Sequence, residues 1–404
     1  MTFRRVLAAG AALGIALVTA TACGGGDTPR RAADQAAQAA QAGQAGAPAD
    51  GHKTTHSAPP AAPLRPGERF QFLSMAQPYT PKPPAGATDE YRCFLVDPHF
   101  ATTSYIVGSE FLPENADVVH HAILFRVAPG DVAQAKKLDD ESPGDGWTCF
   151  GDAGVRSRDL STSAWIGAWA PGGTERLSDR KVGYQMGPGS QIVMQVHYNL
   201  LATGGKATST DKSGVRLRVV DGPADIQPLQ TTLLVAPVEL PCPPGETGDL
   251  CDRERSVLDV MKRFGNEGGT TVAGLNLICN GGRTPQPGNT QQCDHKVRQA
   301  GVIQAVAGHM HLLGRSIKVE LNPGTPQAQV LLDNENYNFD DQSARPTSTP
   351  IAVKPGDTYR VTCTHDATLR AQLPQLKPLK PRYVVWGEGT SDEMCLGIVI
   401  WSKQ

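Results

Sequence analysis

Ten histidines are spread over the 404 residues, and five of them stand in patterns that could bind a transition metal. In Gly308-His309-Met310-His311 the spacing is His-x-His. On a strand, residues i and i+2 face the same side, so both imidazoles could chelate one ion. His120 and His121 are neighbours, and a regular strand would send them to opposite faces. Sharing an ion would take a local bulge or twist, or coordination through the ring nitrogen nearer the backbone. Along residues 191–198 the same alternation puts Gln195 and His197 on one side, a polar pair that needs partners or a metal if it faces inward. The last pattern is Asp392-Glu393-Met394-Cys395, whose thioether is a soft ligand favouring cuprous copper over zinc, calcium or magnesium. Each pattern has an ordinary reading too: exposed histidines on a sheet, a hydrogen-bonded core histidine, a methionine filling a gap.

The elements that must carry these residues read as β. Residues 215–219, 317–321 and 359–363 alternate apolar and polar side chains as half-buried strands do, and residues 398–401 form an apolar strand behind Met394. The 43 glycines and 32 prolines punctuate these segments at intervals that suit β-sandwiches better than alternating βαβ units. Helix is scarce. The best candidate, residues 253–264, sets Val257, Met261 and Phe264 on one side, within a region between Cys242 and Cys293 that reads as an insertion. A boundary near Asp221-Gly222-Pro223 divides the chain into sandwiches over 68–222 and 223–404, the latter holding the Cys-bearing insertion at about 242–293. The expected fold class is all-β, with two tandem jelly-roll-like sandwiches.

The N-terminus reads as an export signal. Arg4 and Arg5 precede a short apolar run over 6–18, and small residues lead to Cys23. The run is shorter than the roughly 20 residues a bilayer-spanning helix needs. Thr21-Ala22-Cys23-Gly24 looks like a bacterial lipoprotein cleavage site, with Ala20 where such sites usually have Leu. Residues 1–23 are thus expected to be a signal, with Cys23 lipidated at the outer face of the cytoplasmic membrane. Residues 24–67 hold almost no large apolar side chain and read as a disordered tether, in which His52 and His56 are solvated rather than ligands. Without Cys23 eight cysteines remain, an even number that suits four disulfides in an oxidising compartment, and no CxxC pair points to zinc. A formal charge of −2, with no basic run beyond short pairs, argues against nucleic-acid binding.

Taken together and in order, Val119-His120-His121, Gln195-Val196-His197-Tyr198, His309-Met310-His311-Leu312-Leu313-Gly314 and Ser391-Asp392-Glu393-Met394-Cys395 resemble the type II copper, ascorbate-dependent monooxygenases, the family of peptidylglycine hydroxylase and dopamine β-hydroxylase. The resemblance runs from about Arg69 to the C-terminus. It implies two sandwiches, each holding one copper, facing each other across an open cleft. His120, His121 and His197 would hold an electron-transfer copper. His309, His311 and Met394 would hold the copper that meets O2 and performs hydroxylation, with ascorbate as reductant. Gln195 and Tyr198, which flank His197 in the motif, would support it from behind. The resemblance also implies disulfides Cys363–Cys395, bracing Met394, and Cys93–Cys149, and leaves Cys242, Cys251, Cys279 and Cys293 unassigned.

The match fails where the peptide-amidating relatives hold a substrate carboxylate. Their Arg, Asn and Tyr are replaced here by Ala307, Leu396 and Ile398. A carboxylate would lack its guanidinium fork, so peptide amidation is disfavoured and a less polar small molecule is expected. Two other classes remain: an extracellular copper-binding or copper-delivery lipoprotein, which would show no turnover with ascorbate and O2, and a zinc hydrolase, which would leave Met394 unexplained.

Overall fold

The computed structural model describes residues 60–403, apart from 85–86, 156–164, 171–172, 180, 208, 223–224 and 340. The signal, Cys23, His52 and His56 lie outside the described residues. Strands dominate, as the alternating segments require, and build two sandwiches. In the first, a five-stranded sheet ordered Trp147–Thr148, Asp89–Val96, Gln191–Asn199, Val119–Val127, Trp165–Trp169 packs on four strands led by Glu68–Ser74 and Gly214–Asp221. Phe94, Leu124, Met194 and Val196 from one sheet meet Ile106, Val215, Leu217 and Met186 from the other in a shared core. In the second, the sheet of Thr290–Lys296, Thr358–His365, Gly314–Leu321 and Gln329–Asn334 packs through Ile317, Val319 and Val361 on Leu234, Ile303, Val306 and Val399.

The halves share one sheet. Gln227–Val235 pairs in parallel with Val182–Met186 over Gln227↔Val182 and Pro228↔Gly183, then antiparallel with Leu396–Lys403, so nine strands span both sandwiches. Four disulfides close, Cys93–Cys149, Cys242–Cys251, Cys279–Cys293 and Cys363–Cys395, which supplies the two pairings the sequence left open.

Three findings adjust the expectations. Helix Arg253–Phe264 buries Ser256, Val260, Arg263 and Phe264, a face rotated from the apolar one expected, because Arg263 turns inward to a carboxylate. Helices Val132–Asp140 and Asn266–Cys279 were not anticipated. Residues 62–63, expected in the free tether, are docked: Ala62 and Pro63 carbonyls accept from the buried Arg218 guanidinium, and Ala62 N–H donates to Glu175. Among the described residues no helix is long and apolar enough to cross a membrane.

Candidate metal centre

The first histidine cluster depends on an irregularity in strand pairing. Val119–Val127 runs antiparallel to Gln191–Asn199, and the register shifts between Val119 and His121, so His120 is the extra residue of a bulge. That bulge turns His120 toward the side occupied by its neighbour. The Nδ1 atoms then converge: His121 Nδ1 lies 3.2 Å from His120 Nδ1 and 3.1 Å from His197 Nδ1. These are the nitrogens nearer the backbone. His197 Nε2 lies 2.9 Å from Asp89 Oδ1, and since a carboxylate can only accept, this nitrogen carries the proton. His197 therefore presents a lone pair to the cluster centre, and three crowded ring nitrogens are the donor set a cation needs.

Burial favours the neutral form of His120 and His121, as metal binding requires. The pKa values of His120 and His121 are driven well below the usual imidazole range by desolvation, reinforced by the neighbouring histidines. Asp89, though desolvated, is held down to about 2 by His197 and by hydroxyls of Thr390 and Thr88.

The strand Gly301–His309 ends at the first histidine of His-x-His, and Met310 turns into the core, fully buried, while the rings of His309 and His311 stay on one side, 5.2 Å apart. Hydrogen bonds fix both tautomers. Gln342 Nε2 donates to Phe339 O at 2.7 Å, which aims its carbonyl at His309 Nδ1. His311 Nδ1 faces the Asp392 carbonyl at 3.3 Å. Each ring must donate from Nδ1, leaving Nε2 as a lone pair. His311 Nε2 is buried with no hydrogen-bond partner, the kind of orphan a metal satisfies. Burial lowers the pKa of His309 to about 3 and that of His311 as well.

Met394 is placed by its neighbours. Glu393, fully buried, accepts from the backbone N–H of His311 at 2.9 Å, of Leu313, and of Met394 at 3.2 Å, tying the histidine turn to the methionine segment. His365 closes the arrangement, with Nε2 3.2 Å from Met394 O. Asp392 is clamped by both terminal nitrogens of Arg263, each at 2.7 Å. Although burial opposes it, Arg263 and Arg382 hold Asp392 ionised. Behind Met394, Cys395 bonds Cys363.

Instead of facing across an open cleft, the two sets adjoin. His121 and His309 rings lie 5.9 Å apart, and Phe339 stacks on His120 at 4.6 Å while standing edge-on to His311. Hydrogen bonds between the halves hold this contact: Tyr91 hydroxyl to Glu388 O at 2.7 Å, Asn199 to Thr390 at 2.9 Å, and Thr390 to Asp89 at 2.7 Å.

Family models for the copper type II ascorbate-dependent monooxygenases match here, the N-terminal domain over residues 75–203 and the C-terminal domain over residues 288–403. The chain belongs to this family. The "DBH-like monooxygenase protein 2" of Mus musculus is 32% identical over 94 residues, 23% of this chain, and the match spans only 14% of that relative's length. Among solved structures, an allantoicase is 13% identical, with 83% of this chain and 90% of that chain covered at a TM-score of 0.19. An allantoicase from Saccharomyces cerevisiae is 12% identical, with 78% and 77% covered and a TM-score of 0.18. Likenesses this low carry no argument.

A cavity of about 160 Å³ reaches both sets, lined by His121, His309 and Met394. Its walls are mostly apolar and include Trp165, Trp169, Leu396 and Ile398, with Arg176, Gln195, Gln342 and Glu388 among the polar side chains. Gln195 lies on the His197 face of its strand, where Nε2 donates to Asp152 O at 3.0 Å and Oε1 is unpartnered. Tyr198 points the other way. Strand alternation sends its ring into the first core, where its hydroxyl donates to Asp211 at 3.0 Å, so it supports the sandwich rather than the back of His197. Asp89, Glu388, Gln342, Phe339, Thr390 and His365 have no local motif and were not singled out by sequence.

Proposed function

We propose that this chain is a copper- and ascorbate-dependent monooxygenase that hydroxylates a C–H bond of a small, non-peptide molecule. His120, His121 and His197 hold one copper through Nδ1, and His309, His311 and Met394 hold the other through two Nε2 atoms and a thioether. The observation that carries this reading is the convergence of three Nδ1 atoms on one another, together with the unpartnered His311 Nε2, beside one shared cavity. Bound copper supplies one-electron chemistry toward dioxygen, and the thioether favours its cuprous form. The protein's own contribution is positional. Asp89, Gln342 and the Asp392 carbonyl hold the rings in the tautomers that present lone pairs, and Glu393 keeps Met394 beside the histidine turn. Aromatic and aliphatic walls give the cavity a mostly apolar lining suited to a small apolar molecule, and three protein ligands per site leave positions open.

Metal analysis together with ascorbate-dependent O2 uptake tests the reading. We expect two coppers per chain and O2 consumption that requires both copper and ascorbate. Two coppers without O2 uptake in a substrate screen would mark a copper carrier instead, and zinc in preference to copper would overturn both. We also propose that Cys23 carries a lipid holding the chain at the outer face of the cytoplasmic membrane, a reading supported by the residues around it. Cys23→Ala should leave the chain unprocessed or release it from the membrane fraction, and unchanged fractionation and processing would refute the anchor.

A further inference from the structure

Asp89 Oδ1 receives two donors. One is His197 Nε2 at 2.9 Å, and the other is the hydroxyl of Thr390 at 2.7 Å. Asp89 and His197 belong to the first sandwich, where Asp89 pairs with Asn199 across adjacent strands. Thr390 comes from the second half, four residues before Met394. Its oxygen also accepts from Asn199 Nδ2 at 2.9 Å, which turns the hydroxyl proton toward Asp89. Asp89, His197 and Thr390 are each at most 2% exposed, so the two bonds to Asp89 Oδ1 are shielded from water. Thr390 is itself held in place: Asp392 caps its turn through Gly389, and Arg370 bonds the Ser391 carbonyl.

We propose that Thr390 is a positioning residue for the first metal site, sharing Asp89 Oδ1 with His197 and thereby setting how strongly that carboxylate pulls on the imidazole. This rests on the reading of His197 as a copper ligand. A carboxylate oxygen divided between two donors is a weaker acceptor toward each. With Thr390 in place, His197 keeps its Nε2 proton more firmly and is a poorer electron donor through Nδ1, which favours the cuprous ion. Without the hydroxyl, Asp89 draws harder on the proton, the ring becomes more imidazolate-like, and the cupric ion gains. Because the hydroxyl arrives from the other half of the chain, this tuning exists only while the halves are docked. The segment 388–394 thus touches both sites, orienting His197 through Thr390 at one end and presenting Met394 at the other.

The test uses the full chain carrying His309→Ala, so that the remaining copper reports the first site alone. In that background Thr390→Val, which keeps shape and removes the hydroxyl, should still bind one copper. Its cupric-to-cuprous affinity ratio should rise about tenfold, a midpoint potential about 59 mV lower, with an altered cupric EPR spectrum. Thr390→Ser, which restores the donor, should return both to the parent values. An unchanged potential in Thr390→Val, or a Thr390→Ser variant that behaves like it, would overturn the inference. A His309→Ala chain that binds no copper would instead overturn the reading of His120, His121 and His197 as a separate copper site, and this inference with it.

Discussion

The ring of Tyr91 lies flat on that of His197, with centroids 4.2 Å apart and planes 5° from parallel. The two residues face each other across paired strands, and Tyr91, 2% exposed, reaches past His197 to the Glu388 carbonyl of the second half. Tyr91→Phe keeps the stack and loses one hydrogen bond, so it should cost only about 1 kcal/mol of stability. Tyr91→Ala frees the imidazole and opens a cavity. It should cost about 3–5 kcal/mol and weaken copper at the first site about 10-fold to 100-fold. Denaturant melts and chelator competition on the two variants separate these effects.

Separate ligand sets predict separate losses. His309→Ala should lower the copper content from two ions per chain to one, measured by elemental analysis. Met394→Ile should remove the sulfur scatterer from the X-ray absorption spectrum of the reduced protein and weaken cuprous binding at least about tenfold. Loss of both coppers in His309→Ala would show that the adjoining histidines form a single site.

Glu388 gives the metal-free chain a pH signature. Burial, with Asp392 and Asp152 adding repulsion, pushes its carboxyl up to about 8, only partly offset by a hydrogen bond from Trp386. Between the ordinary value of 4.5 and about 8 the folded chain holds a proton that the unfolded chain has released. Stability from this group is therefore lost as pH rises through that window and stays lost above it. Glu388→Gln removes the dependence. Its thermal midpoint should match the parent near the acid end and exceed it above the upper value, and parallel melting curves across the range would contradict the assignment.

Substrate choice follows from what the cavity lacks. Leu396 and Ile398 line it as apolar side chains, and the buried Ala307 pairs with Ile398 across adjacent strands, so a terminal carboxylate meets no guanidinium and phenol pair at these positions. Misplacing a reacting carbon by even ~1 Å can cost about a hundredfold in rate. A glycine-extended peptide should accordingly show kcat/KM at least about a hundredfold below that of a good small aromatic substrate. Should such a peptide be converted efficiently, Arg176 is the cavity group able to pair with it, and Arg176→Ala would abolish that conversion.

The parts of the site legible in the sequence are those that obey a short period or a fixed spacing. Alternation put Gln195 and His197 on one face, and i and i+2 spacing put His309 beside His311. Adjacency signalled that His120 and His121 could share an ion only through a bulge or twist or through the nitrogen nearer the backbone, and the structure has the bulge and the converging Nδ1 atoms. Tyr198 was misread as support for the ligand because its place in a motif outweighed the same alternation, which sends it to the opposite face. Asp89 and Thr390 meet across 301 residues, and Gln342 reaches His309 from a loop 33 residues away. No local pattern encodes such pairs, since the fold alone decides which loops meet. The helix Asn266–Cys279 escaped notice because Gly268, Gly269, Thr270 and Thr271 are poor helix formers, and packing against the preceding helix overrides that propensity.

The four disulfides also bear on how the site is assembled in time. Eight open thiols would be softer and stronger traps for cuprous ions than the single thioether of Met394. Cys395, directly beside Met394, would be the nearest competitor. Oxidation closes all eight and at the same stroke anchors the strand behind the methionine. If the chain takes copper as proposed, loading should then come late in maturation, after the thiols have been consumed, and a chain offered copper while still reduced should capture it in the wrong places.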